Sequence, residues 1–465
     1  MNPKVGIMEF DEKSTSTKSF YSYSQACHII YRLSNNNGLR LIGLLVSLHV
    51  SIVSAFAGGP RLKTTIEKFD PRARLSYLNE KSEKSSFTGK LSADSNSNIT
   101  HLEQATLIAS APEKNLSTKE LPQFNSTFAG RYAAISSKKE FVFYTLDPKL
   151  QEHVRGLTNR ASASHVAAVV IDPKTGQILA ISGKSRQLKS PELHAGYPAA
   201  SLFKIVTAAA AVDTQGVNQN TVVSFRGGDY TLTQSNYLPN FKIDRRTMTV
   251  GEAMGKSCNP VFGRLALSLN SPSVLARYAR SFGFNERVTN AFQLPVSYAS
   301  IPAEKYELSR TGAGFGNVTI SPVHAAAIIG GLATDGKLRT PYFLDKVVSP
   351  TGQIVYKHSG AVVSQMVSRR TAEELLNMME NTTTIGTSRR EFMVNKRPIF
   401  PGVAIPGKTG TLRGKNPFGL TTWFIAAVPR NDPKIAVAVV AVDPKQGSAK
   451  ASHLGKRIIE KVITR

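Results

Sequence analysis

Tyr197-Pro-Ala-Ala-Ser201-Leu-Phe-Lys204-Ile-Val-Thr-Ala-Ala-Ala-Ala-Val-Asp213 is the stretch on which the reading of the chain turns. Leu202, Ile205, Val206, Ala209, Ala210 and Val212 recur at steps of three and four, which predicts a buried helix. Pro198 falls near its start and Gly216 just past its end, where each is tolerated. So apolar a helix has no structural use for Lys204, because a buried ammonium is costly unless paired or neutralised. Ser201 gives it a use. At spacing i, i+3 the two side chains share one helix face, roughly 5–6 Å apart at Cβ. Burial and the positive end of the helix dipole both lower the lysine pKa. A neutral amine beside a hydroxyl is an activated nucleophile.

The Ser-x-x-Lys pattern by itself is weak. Ser136-Ser137-Lys138-Lys139 repeats it in a polar stretch without apolar period, where it reads as solvated linker. Two later triplets strengthen the first copy: Ser257-Cys258-Asn259, and Lys408-Thr409-Gly410 followed by Thr411. Each also has a look-alike with a plain reading. Lys174-Thr175-Gly176 suits a hairpin turn, and Ser268-Leu269-Asn270 suits a helix surface. Cys258 and Trp423 are read as core residues.

Ser-x-x-Lys, Ser-x-Asn and Lys-Thr-Gly-Thr in this order resemble the penicillin-binding protein transpeptidases and the related serine β-lactamases. The likeness covers about residues 141–445, and is supported by Tyr144-Thr-Leu-Asp-Pro-Lys-Leu150, Gly314-Phe-Gly-Asn317 and Thr334-Asp-Gly-Lys-Leu-Arg-Thr-Pro341. It is most like the transpeptidase half of bifunctional wall synthases. The resemblance implies that Ser201 attacks the penultimate D-alanine of a peptidoglycan stem peptide, with Lys204 taking its proton. Ser257 would relay protons, and Asn259 would hold the substrate amide. Lys408, Thr409, Gly410 and Thr411 would form the carboxylate-binding strand. Backbone N–H groups of Ser201 and Thr411 would make the oxyanion hole. It further implies stem peptides and β-lactams as ligands, a separate glycosyltransferase or other wall-synthesis protein as partner, and no cofactor. A D,D-carboxypeptidase, a β-lactamase or β-lactam sensor, and a non-catalytic wall-binding protein are the alternatives. The glutamates between Ser257 and Lys408 are read as lacking the Glu-x-x-x-Asn arrangement that supplies a deacylating base in class A β-lactamases.

Composition bounds the rest. The 465 residues carry 58 basic against 32 acidic side chains, a net charge of +26, which suggests an anionic neighbour. The charge is scattered, with no run of the kind that marks a nucleic-acid arm, so nucleic acid is not expected as a partner. Two cysteines, Cys27 and Cys258, exclude a zinc site built from cysteine pairs, and no metal is expected. Residues 1–38 read as a cytoplasmic leader. Residues 39–57 form an apolar run of about the minimum length to span a bilayer. Arg32 and Arg40 on its amino side orient that end inward. The expected location is the inner membrane with the catalytic part in the periplasm, or the free periplasm if Ala55-Phe56-Ala57 is cleaved. Residues 58–140, dominated by Ser, Lys, Asn, Thr and Glu, read as a flexible tether.

Residues 141–465 are expected to form one domain. Strands are predicted at 166–171, 177–182, 407–412, 422–428 and 435–442. Helices are predicted at 150–160, 247–269, 272–282, 321–333, 371–381 and 452–461, with Glu373 and Glu374 in a first turn. Two strands early and three late imply an α/β (α+β) fold: an antiparallel five-stranded sheet, helices on both faces, and an inserted, mostly helical subdomain.

Overall fold

A computed structural model describes residues 126–128, 130–443 and 450–464. The leader, the apolar run at 39–57 and most of the expected tether lie outside them. Among the described residues no helix is long and apolar enough to cross a membrane.

The expected tether ends earlier than 140. Strands β1 (Ser126–Phe128) and β2 (Arg131–Ile135) pair antiparallel with each other, and β2 continues onto β3 (Phe141–Tyr144). Local composition hides them, because their stability comes from neighbours: Ala133 and Ala134 are buried only once β3 is in place. The second Ser-x-x-Lys is the turn of this hairpin. Ser136 Oγ accepts from the N–H groups of Lys138 and Glu140.

After α1 (Pro148–Arg160), β4 (His165–Ile171) and β5 (Ile178–Ser185) form the predicted hairpin. Asp172 accepts from Lys174 N and Thr175 N in its turn, and Gly176 takes φ 84°. The chain then leaves for α2 (Lys204–Gln215), α3 (Val250–Lys256), α4 (Asn259–Ser268), α5 (Pro272–Ser281), α6 (Lys305–Gly312) and α7 (Pro322–Leu332). It next supplies β6 (Leu344–Val348) and β7 (Ile354–Lys357), which extend β1–β3 into a second five-stranded sheet that the sequence reading did not include. Helix α8 (Arg369–Thr384) leads back to β8 (Gly407–Lys415), β9 (Phe418–Val428) and β10 (Ile435–Val442), and α9 (Ala451–Ile463) follows.

The main sheet has order β8-β9-β10-β4-β5, every pair antiparallel, so the early and late segments meet at β10 and β4 as expected. Strand β10 is apolar throughout, and β4 from Val166 onward, because both faces are covered. Period-two alternation divides their side chains. Ala436, Ala438, Val440 and Val442 enter the core shared with α2 and α7, whereas Ile435, Val437, Val439 and Ala441 enter the one shared with α1 and α9. Each large apolar side chain so buried contributes about 1.5–3 kcal/mol.

Two helix predictions need correction. The single helix expected over 247–269 is two, α3 and α4, broken at Ser257 with φ 60°. Thr249 and Glu252 form a capping box that starts α3, and Pro260 sits in the first turn of α4. A proline there disfavours helical backbone just before it, and that signal in the sequence was available. Helix α8 starts at Arg369, so Glu373 and Glu374 are not in its first turn.

Candidate active site

The Ser201–Lys204 stretch does not begin as an α-helix. Tyr197–Pro198 is a short strand, Ala200–Phe203 is a 3-10 turn, and α2 proper starts at Lys204 and ends on Gly216 in the left-handed region. A 3-10 turn eclipses side chains three apart, which is the alignment the pair needs. Lys204 Nζ lies 2.8 Å from Ser201 Oγ. The turn is tightly held: Ala200 has φ 50°, and a Cβ on Gly314 would come within 2.3 Å of the Ala200 carbonyl oxygen. Gly314, at φ 94°, is thus required both for its conformation and for the close approach.

Lys204 is fully buried, with no acidic hydrogen-bond partner among the described residues. Besides Ser201, its amine meets Asn259 Oδ1 at 2.7 Å and the Ala313 carbonyl at 2.6 Å. Burial, and then the positive charge of Lys408, hold its pKa well below the ordinary lysine value. A neutral amine has two N–H groups and one lone pair. Two donated bonds, to Asn259 and Ala313, leave the lone pair for the Ser201 hydroxyl.

Asn259 arrives from the first residue of α4 and Ser257 from the break before it, so the break brings both polar side chains to one place. Asn259 Nδ2 donates to the Tyr230 carbonyl at 2.8 Å, and its backbone N–H to Asp229 O at 2.6 Å. Ser257 Oγ lies 3.0 Å from Lys408 Nζ. Lys408 is also fully buried, and burial pulls its pKa down to about 7. Its amine additionally donates to the Thr409 carbonyl at 2.9 Å.

Among the described residues, strand β8 is an edge of the sheet and pairs only with β9. The Ser201 turn packs against β8, where a Cβ added at Gly410 would come 3.3 Å from the Ala200 methyl. Thr409 is half-buried and Thr411 exposed. All eight sequence-predicted residues therefore fall along one front formed by the Ser201 turn, the α3–α4 break and β8. Sequence reasoning missed the Ala313 and Tyr230 carbonyls, since backbone acceptors leave no residue-type signal. It also missed Thr387, whose hydroxyl meets Thr409 Oγ1. Cys258 and Trp423 are buried as expected. Burial pushes the Cys258 thiol up to about 11, and Trp423 Nε1 donates to the Pro198 carbonyl at 2.8 Å. Among the described residues no cluster of His, Cys, Asp and Glu could hold a metal ion.

The family model described as the penicillin binding protein transpeptidase domain matches residues 166–463. This chain belongs to the penicillin-binding protein transpeptidase family. Stage V sporulation protein D of Bacillus subtilis is 28% identical over 327 residues, covering 65% of this chain and 49% of that protein. Peptidoglycan D,D-transpeptidase PbpA of Mycobacterium tuberculosis is 27% identical over 339 residues, covering 64% and 67%. The chain thus spans about half to two thirds of the length of these family members. Among solved structures, the D,D-transpeptidase domain of a peptidoglycan glycosyltransferase from Eggerthella lenta matches with TM-score 0.58 at 24% identity, over 73% of this chain and 85% of that one. Penicillin-binding protein A from M. tuberculosis, as its imipenem acyl-enzyme complex, matches with TM-score 0.55 at 23% identity, over 69% and 79%. The penicillin-binding transpeptidase fold accounts for the sheet, the helices on its two faces and the insertion between β5 and β8.

One expectation about glutamates needs correcting. Glu286, Glu373 and Glu391 each stand four residues before an asparagine, Asn290, Asn377 and Asn395, a spacing the sequence reading passed over. None is bonded to the site: Glu286 pairs with Arg280 at 3.7 Å, Glu373 with Arg369 at 3.1 Å, and Glu391 with His453 at 3.1 Å. The other four glutamates between Ser257 and Lys408 likewise have partners elsewhere.

Proposed function

We propose that this protein is a serine D,D-transpeptidase of peptidoglycan synthesis, acting on D-Ala-D-Ala stem peptides and acylated by penicillins. The observation that carries the reading is the pair of buried lysines. Each sits within hydrogen-bond reach of a different serine hydroxyl, and each is held below the ordinary lysine pKa. Acyl transfer needs a base for the nucleophile and a proton donor for the leaving amine. Lys204 takes the Ser201 proton as Oγ attacks the penultimate D-Ala carbonyl, and the oxyanion is held by the N–H groups of Ser201 and Thr411. Lys408, with its pKa near neutrality, passes a proton through Ser257 to the departing D-Ala amine. Its buried amine acts on the substrate carboxylate by charge, while the Thr409 and Thr411 hydroxyls make the contact. Asn259 holds the stem-peptide amide and fixes Lys204. The free edge of β8 suits an extended peptide added as a further strand.

Transfer to an amine is favoured over hydrolysis because the seven glutamates between Ser257 and Lys408, where a base of the class A kind would be sought, are each engaged by partners away from Ser201. The domain works outside the cytoplasmic membrane, joined to it through residues 39–57 or released, with a separate glycosyltransferase supplying glycan. A fluorescent penicillin should label Ser201 and leave an adduct lasting many minutes. Wild type should transfer a D-Ala-terminated donor to a D-amino acid. Labelling that survives Ser201→Ala, or rapid recovery of free enzyme from penicillin, would refute the reading. Release of D-Ala to water alone would move it to a carboxypeptidase.

A further inference from the structure

The helical insertion supplies Ser257 and Asn259, the sheet supplies Lys408 and Thr409, and the turn after α8 touches both. Thr387 N donates to the Gly255 carbonyl at 3.0 Å, two residues before Ser257. Its hydroxyl lies 2.5 Å from Thr409 Oγ1 and 3.4 Å from the same Gly255 carbonyl. The approach depends on two glycines: a Cβ on Gly386 would fall 2.0 Å from Gly255 O, and one on Gly255 would fall 2.7 Å from Asn381 O. On the other side, Thr383 Oγ1 donates to Ile405 O at 2.8 Å, just before β8 begins. The turn is thereby pinned to both halves of the site.

The threonine pair faces solvent, unlike the rest of this clamp, and none of the bonds within the Ser201–Lys204 pair needs it. When the Thr387 hydroxyl donates to Thr409 Oγ1, the nearer of its two acceptors, the Thr409 oxygen accepts and keeps its own proton. That bond selects one rotamer of Thr409, whose χ1 is already restricted by its branched Cβ. Thr409 then has its oxygen fixed and its proton free to turn toward an arriving anion. A carboxylate offers charged acceptor oxygens to such a hydroxyl, whereas an ester at the same position carries no charge and accepts weakly.

We propose that Thr387 is a positioning residue for recognition of the substrate's free carboxylate, acting through the Thr409 hydroxyl. This rests on the transpeptidase reading and deepens it. The test compares acylation of the full-length protein by a penicillin as its free acid and as its methyl ester, in wild type, Thr387→Ser and Thr387→Val. Wild type should prefer the acid. Thr387→Val should lose about tenfold of that preference, the effect of one misplaced hydrogen bond to a charged group, with the ester rate nearly unchanged. Thr387→Ser, which keeps the hydroxyl, should retain the preference within about twofold. An unchanged acid-to-ester ratio in Thr387→Val, or equal loss of both rates, would overturn the inference. Wild-type protein that neither compound acylates at Ser201 would overturn the transpeptidase reading itself, and this inference with it.

Discussion

Two Lys-Thr-Gly segments occupy the same sheet and behave as opposites. Lys174 lies in the β4–β5 turn, paired in the open with Asp432 at 2.7 Å, and that hydrogen bond raises its pKa. Lys408 lies inside β8, fully buried, and its pKa falls to about 7. The two Ser-x-x-Lys segments differ in the same way: Ser136 caps a surface turn, while Ser201 and Lys204 share a buried bond. Residue types and spacing are identical within each pair. What differs is desolvation, which destabilises an ammonium far more than an exposed ion pair stabilises one.

The sharpest way to break this comparison is to remove the lysine of each Ser-x-x-Lys copy. Lys204→Ala should slow penicillin acylation of Ser201 by about 10⁴-fold, the upper end for loss of a general base, and Lys139→Ala should leave it unchanged. Stopped-flow labelling measures both. A comparable loss in Lys139→Ala would mean that burial does not distinguish the copies. Lys408→Ala should cost less, about 10²–10³-fold, because it acts on the leaving group and the substrate charge. Lys174→Ala should again be silent.

A third buried base sharpens the contrast between chemical and structural use. His324 is buried on α7, its Nε2 donating to Phe282 O at 2.7 Å while Nδ1 has no hydrogen-bond partner in the structure. Burial pulls its pKa down to about 4 from an ordinary 6.5. The unfolded chain therefore binds the extra proton between those values, so stability is intact above pH 6.5 and falls toward pH 4. About 3 kcal/mol should be lost over that window, and His324→Gln should flatten the slope in acid denaturation curves. An unchanged slope would show that this histidine titrates freely.

The smallest expected effect has the opposite sign to its catalytic counterpart. Because Lys408 is held near pKa 7 in the fold and is ordinary when unfolded, the unfolded state binds more protons between about pH 7 and 10.5, and stability rises across that window. Lys408→Met should slow acylation by about the same 10²–10³-fold as Lys408→Ala yet stabilise the protein at pH 7 by about 2 kcal/mol, once the lost bonds to Ser257 and Thr409 are offset. At pH 10 the gain should vanish. A destabilised Lys408→Met at pH 7 would mean that the lysine is held charged by groups not yet accounted for.

The sequence by itself determined the five strands of the main sheet, their meeting at β10 and β4, and the buried, apolar setting of Ser201 and Lys204 that Ser136 lacks. Apolar period records which faces are covered, and that is a local property. It also held the glycines at 216 and 314 and the proline at 260, although the break announced by Pro260 went unread. Tertiary structure alone decided that the Ser257 break, the Ser201 turn and β8 converge, and that both lysines lose water together. Only the fold showed that Ala313 and Tyr230 contribute carbonyls, and that Thr387 ties the insertion to the sheet. A pKa depends on every segment that covers a charge, and a backbone carbonyl is the same in every residue. Neither can be written into the spacing of side chains along one stretch of chain.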